Sequence, residues 1–429
     1  MPLKFAQRIK PIFISLSPNV EKDDLALTLK LLFSPWRWRK EAKSQKSKVK
    51  SLEDEFKRYL GVRYTFSFNS GRSAFLAILK ALNFPKGSEI LLQAFTCTAA
   101  VNPILWQNLK PVFVDIERET LNIDPKDLER KITKKSKAVL VQHTFGLPAK
   151  LGEIQKICQK HNLILIEDCA HSLGAKYQGK FLSAFGKVSF FSFGRDKVIS
   201  SVYGGMAVTN DPVLAERIKE FQQKCPFPSN FWIFQQLLHP ILTKYIIMPL
   251  YGFFGVGKWC LLFLQKIKVL SKAVQKMEKK GEKPSYFPQK MPNALAFLAL
   301  NQLRKLERFN RHREKIAKLY DENLKKLKIT LPKKEKQRIY LRYSILIENQ
   351  ETSEILKQFR KRKIFLDNGW RKKPISPPDA DQERMEYKLG SCPRAEKIAK
   401  EILNLPTHIN LSFRDAQKII NFLKNIKAT

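Results

Sequence analysis

LILIEDCAHSLGAKYQGKFLSAFGKVSFFSFGRDKVISSVYGGMAVTND, running from Leu163 to Asp211, is the stretch whose reading decides the fold. Leu163 to Ile166 is wholly apolar, as expected of a strand buried on both faces of a parallel sheet. The run ends in two carboxylates, Glu167 and Asp168, and ligand-binding groups of open α/β sheets collect at such carboxyl ends. A second buried run, Val188 to Phe193, leads into a loop carrying Lys197, then Gly204-Gly205 and another strand. An acid at one strand end and a lysine just past another are the two fixed contacts that pyridoxal phosphate needs. The lysine bonds to the cofactor aldehyde, and the acid pairs with the ring nitrogen so that the ring can accept electrons.

Working outward, further segments join this pattern. Glu167-Asp168-Cys169-Ala170-His171-Ser172-Leu173-Gly174-Ala175 is followed by Ser192-Phe193-Gly194-Arg195-Asp196-Lys197 and by the glycine pair. Upstream lie Phe68-Asn69-Ser70-Gly71-Arg72-Ser73-Ala74 and Pro111-Val112-Phe113-Val114-Asp115-Ile116 with Thr120-Leu121-Asn122-Ile123-Asp124. Downstream lie Cys392-Pro393-Arg394-Ala395-Glu396 and Leu405-Pro406-Thr407-His408. Taken together they resemble the DegT/StrS-type sugar aminotransferase family over residues 50–220 and 285–425.

The resemblance implies an aspartate aminotransferase-like α/β fold: a large domain with a mostly parallel sheet and a smaller C-terminal α+β domain. It implies pyridoxal 5'-phosphate held by Lys197, with Asp168 on the ring nitrogen, His171 beside the phenolic oxygen and Ser192 on the phosphate. Ser70, Gly71 and Arg72 sit between an apolar strand and a helix whose inner face carries Ala74, Phe75, Ile78, Leu79 and Leu82. Amide groups and the positive dipole end at such a helix start suit a phosphate. Two positions depart from the family pattern. Where an aromatic residue usually stacks on the cofactor ring stands Cys97, so either Cys97 packs there or neighbouring Phe95 does. Pro288 replaces an asparagine that reaches the partner subunit's phosphate, leaving Gln289 or Lys290 for that task.

By the same resemblance the protein moves an amino group from an amino acid, glutamate by preference, to a nucleotide-linked keto-sugar for glycan or polysaccharide biosynthesis. It would do so as a homodimer. A sugar dehydratase of the same fold carries histidine in place of the cofactor lysine, and Lys197 argues against that reading. A third reading, a non-catalytic membrane-associated relative, is disfavoured by the presence of Asp168, Ser192 and Lys197 together.

Composition limits the partners. The formal charge is +40, but lysine is spread along all 429 residues and no nucleic-acid-binding signature accompanies it. Anionic substrates or anionic membranes suit this charge better than a specific nucleic acid. The six cysteines form no C-x-x-C pair or metal-ligand spacing, so reduced thiols, a cytoplasmic location and no metal site are expected.

The chain divides into an N-terminal arm (1–50), the large cofactor domain (51–220), an apolar and basic insert (221–285), and a long helix with a small domain (286–429). A helix is expected from Ser51, and one continuous helix from Ala294 to Leu327. The insert is the part the family pattern leaves unexplained. Residues 226–265 carry only Lys244 and Lys258 as charges, yet four prolines and paired glutamines interrupt any span of about twenty apolar residues. It reads either as helices packed over the active site or dimer interface, or as a segment lying in a bilayer surface.

Overall fold

The computed structural model describes residues 11–38, 47–253 and 255–428; the rest of the 1–50 segment lies outside the described residues. The apolar runs fold into a seven-stranded sheet. Its strands are β1 Tyr64–Phe68, β2 Glu89–Gln93, β3 Lys110–Val114, β4 Ser136–Gln142, β5 Ile164–Asp168, β6 Val188–Ser192 and β7 Gly205–Thr209. Their order is β1-β7-β6-β5-β4-β2-β3, and β7 alone runs antiparallel to its neighbours. Both faces are covered, which is why the strands read as unbroken apolar runs. Leu91, Val139, Val141 and Leu165 enter one core, and Ile90, Leu92, Leu140 and Ile166 enter the other. Each such side chain contributes roughly 1.5–3 kcal/mol on burial.

The parallel register brings functional strand ends to one edge. Gln142 pairs with Asp168, Asp168 with Phe190, Ser192 with Gly205, and Gly205 with Phe68.

Eight helices position the site and the insert: α1 Lys22–Leu32, α2 Lys48–Leu60, α3 Gly71–Leu82, α4 Asn230–Leu242, α5 Met248–Tyr251, α6 Val256–Lys266, α7 Asn293–Leu303 and α8 Leu306–Leu324. Two differ from expectation. Helix α2 starts three residues before Ser51, because Ser47 Oγ accepts from Val49 N–H (3.2 Å) and remote Asn293 Oδ1 accepts from Lys48 N–H (2.7 Å). The expected helix 294–327 is two helices, α7 and α8, broken at Arg304-Lys305. Long-range contacts fix that break: Lys305 Nζ lies 2.8 Å from Asp23 and 2.9 Å from Asp24, and Gln302 donates to Asn19 O (3.1 Å).

Within the segment 1–50, Ile12-Phe13 pairs in parallel with Ile364-Phe365, and α1 packs against α4 and α7. The smaller C-terminal α+β part is built on β8 Tyr343–Leu346 and β9 Ile402–Leu405, paired antiparallel. Ile316, Tyr320, Ile345, Leu403 and Ile419 close its separate core. A two-residue parallel pairing of Ile375-Ser376 with Thr96-Cys97 joins it to the edge where the sheet ends converge.

Candidate active site

At that edge one cavity is lined by Ser70, Gly71, Arg72, Cys97, Asp168, His171, Ser192 and Lys197. Eight of the nine residues singled out in the sequence therefore come together. The ninth, Phe95, lies fully buried and away from the cavity, edge-on to Trp370 with ring centroids 5.4 Å apart. Of the two candidates for the ring-stacking place, Cys97 is the one on the cavity wall.

The Lys197 loop is pinned from both ends. Phe193, fully buried, packs on Phe56 with centroids 5.3 Å apart. Asn19 Nδ2 donates to the carbonyls of Lys197 (2.8 Å) and Val198 (3.1 Å), and Arg313 donates to Val198 O (2.7 Å). A residue from the N-terminal segment thus braces the loop that presents the lysine, a role no local signal at Asn19 announced.

The α3 turn is closed by backbone proximity. Ser70 caps the helix, its Oγ accepting from Ser73 N–H (3.1 Å). A Cβ on Gly71 would come within 2.8 Å of Ser192 Cβ, and one on Gly205 within 2.4 Å of Gly71 N. Only glycine lets β7 and the α3 start approach this closely. The Arg72 side chain is already engaged: it pairs with Glu278, donates to Ala273 O (3.1 Å) and lies over Phe287 at 4.5 Å. What α3 offers a ligand is therefore its backbone amides.

Burial dominates the electrostatics. Desolvation raises the Asp168 carboxyl above its ordinary range against the pull of Lys197; Oδ1 accepts from Ala170 N–H (2.9 Å). Desolvation lowers the Lys197 amine, opposed by Cys97 and Asp168, and among the described residues the amine has no ion-pair or hydrogen-bond partner. His171 is held well below its ordinary value by burial, with Lys197 adding to the effect, and is neutral. It stacks on Phe145 at 5.4 Å and its Nδ1 accepts from Phe145 N–H (3.4 Å). The Cys97 thiol is raised, again mainly by desolvation.

Several wall residues were not read from the sequence. Gln142 stands at the carboxyl end of β4, hydrogen-bonded to Thr96 (2.9 Å) and Thr144 (3.0 Å). Asp196 has a buried oxygen, Oδ1, without a hydrogen-bond partner among the described residues. Asn368 and Trp370 come from the C-terminal part, and Ala273 and Val274 from the lysine-rich end of the insert. The Gly369-Trp370 pair was the one available signal in the first of these segments. Gln289 and Lys290, expected to serve a partner subunit's phosphate, are placed outside this chain's own cavity: Gln289 Oε1 accepts from Asn69 (3.2 Å), and Lys290 lies 5.1 Å from the Phe227 ring.

This donor set fits pyridoxal phosphate. An unengaged amine on a loop beside a buried carboxylate matches the aldehyde and ring nitrogen. The Ser192 hydroxyl and the α3 amides are donors of the kind a phosphate group takes.

Residues 38–230 and 263–424 match the DegT/DnrJ/EryC1/StrS aminotransferase family. GDP-perosamine synthase of Escherichia coli O157:H7 is 27% identical over 365 residues, covering 85% of this chain and 86% of that protein. Two solved structures share the fold. Helicobacter pylori PseC, an aminotransferase involved in the biosynthesis of pseudoaminic acid, gives a TM-score of 0.74 at 24% identity, over 98% of this chain and 100% of that one. The PLP-form of the putative sugar aminotransferase Spr1654 from Streptococcus pneumoniae gives 0.73 at 21%, over 97% and 99%.

Proposed function

The chain belongs to the DegT/DnrJ/EryC1/StrS aminotransferase family, whose members use pyridoxal phosphate, and from that premise we propose that it transfers an amino group from glutamate to a nucleotide-linked keto-sugar. The observation that carries the reading is the Lys197 amine, unengaged among the described residues and in one cavity with Asp168 and Ser192. When bound, the cofactor carries the amino group and draws electrons from the carbon that loses a proton.

The chain's own residues do the rest. Lys197 Nζ would hold the cofactor and, once released from it, would take the proton from the donor's α-carbon and, in the half-reaction with the sugar, deliver a proton to the carbon that receives the amino group, a task helped by burial, which favours its neutral form. Asp168 pairs with the ring nitrogen; that cation opposes the desolvation that raises its carboxyl and keeps it ionised. Ser70, Gly71, Arg72 and Ser192 take the phosphate, the arginine through its backbone amide. Cys97, on the cavity wall, would lie against the ring face, where a small polarizable sulfur would take the place of an aromatic ring. Neutral His171 sits beside the phenolic oxygen.

The framework for this assignment is the division into 51–220, 221–285 and 286–429, in a cytoplasmic homodimer. The reading includes a peripheral membrane contact through 226–265; among the described residues no helix is long and apolar enough to cross a membrane.

The test is turnover. Protein loaded with pyridoxal phosphate is assayed with glutamate, glutamine and alanine as donors against a panel of nucleotide-linked keto-sugars. Amination of at least one sugar, with glutamate the best donor, is the expected result. Amination of simple keto acids alone would overturn the sugar assignment.

A further inference from the structure

The helical hairpin formed by α4, α5 and α6 falls largely in the gap of the family match, residues 231–262, so the family does not account for it. Its first helix is anchored. Trp232, Ile233 and Leu237 enter the main core, and Gln236 Oε1 accepts from Ser271 Oγ (2.7 Å). Helix α6 folds back onto its own hairpin, where Gly257 permits contact: a Cβ there would lie 2.2 Å from Ile247 O and 2.4 Å from Tyr251 N.

The outer face of α6 is apolar and uncovered. Val256, Trp259, Phe263 and Ile267 recur at helical spacing on one side, with exposures of 39%, 71%, 59% and 49%. Leu262 widens the patch, and Tyr245 is exposed on the same hairpin. Contiguous apolar surface of this kind marks an interaction site. The charge around it names the partner. From residue 221 to 277 the chain has seven lysines and no carboxylate, and Lys258, Lys266 and Lys268 stand exposed beside the apolar stripe. A second copy seated here would set lysine against lysine. An anionic bilayer supplies opposite charge to the lysines and apolar depth for the aromatic side chains.

We propose that the α6 face docks on the surface of an anionic phospholipid bilayer, with Trp259, Phe263 and Ile267 inserted and the lysines on the headgroups. The cavity lies close to this contact along the chain, because Val274 of its wall follows Ile267 by seven residues.

The proposal is independent of the catalytic reading, and so is its test. Full-length protein is floated with vesicles of phosphatidylcholine alone and of phosphatidylcholine with phosphatidylglycerol. It floats with the second and not the first, and added salt weakens the binding. The exposed double variants W259E/F263E and K258E/K266E each lose at least tenfold of the bound fraction, with circular dichroism and cofactor absorbance unchanged. Absence of flotation with anionic vesicles, or flotation of both variants equal to that of the wild type, would overturn the proposal. So would self-association of the wild type that W259E/F263E abolishes, since a second copy would then cover the face.

Discussion

The cavity around Lys197 buries charge, whereas the hairpin of α4 to α6 exposes apolar surface; each carries the cost the other avoids. In the cavity, Asp168, Lys197 and His171 are stripped of water, and the charged form of each is disfavoured. Such groups are kept where a ligand supplies what solvent no longer does. On α6, Trp259 and Phe263 stand in water. Nothing in the interior requires them there, for the hairpin is already held by Trp232, Ile233 and Leu237. The difference fits a cavity built around a small molecule and, on the proposal above, a hairpin built toward a surface.

Substitution at the lysine gives the largest contrast. Lys197→Ala should lower amino transfer by roughly four orders of magnitude or more, because the proposed mechanism gives one side chain both the holding of the cofactor and the movement of the proton. Borohydride should fix the cofactor to the wild type at Lys197 and leave the variant unlabelled, while W259E/F263E turns over normally with soluble substrate. Labelling at any other lysine would break the assignment.

Asp168→Asn comes next. Loss of a buried charge-assisted hydrogen bond predicts a rate lower by roughly a hundredfold or more in a folded protein. Near-normal turnover would contradict the pairing with the ring nitrogen.

A pair of glycines sharpens the comparison further. Gly205→Ala drives a methyl onto the Ser70-Gly71 backbone and should cost roughly 1–3 kcal/mol of global stability, with weaker cofactor binding. Gly257→Ala meets backbone just as closely, but within the hairpin. It should loosen α6 and reduce vesicle binding with cofactor affinity unchanged. Thermal unfolding and cofactor titration separate the two.

The last effect is spread over both regions. His171 in the cavity, His239 in α4 and His408 near the C-terminal part are all kept neutral chiefly by burial, His408 falling to about 3. In the unfolded chain each takes a proton near pH 6.5. The unfolded state therefore binds more protons below that pH, and stability falls as pH drops from about 6.5 toward 3. The slope is at most roughly 1.4 kcal/mol per pH unit for each histidine. Urea unfolding at pH 7 and 4.5 checks this; a flat profile would exclude it.

The apolar runs beginning at Leu163 and Val188 both became strands of the central sheet, because burial on both faces leaves a local signature in each. The site residues on strand ends and tight turns were legible for the same reason: Asp168, Ser192 and the α3 start are fixed by segments a few residues long. Trp370, Asn368 and Ala273 carry no such signature, since they reach the cavity through chain reversals that depend on packing elsewhere. Asn19 is the clearest case, bracing Lys197 from 178 residues away.

By itself the sequence determined the sheet, the cavity's acid and lysine, and the existence of an apolar, basic insert, since each depends on neighbours along the chain. Only the tertiary structure decided between Phe95 and Cys97 at the cavity wall, broke the helix at Arg304-Lys305, and turned the apolar face of α6 outward. Those outcomes depend on which remote atoms compete for the same space, and that competition exists only once the chain is packed.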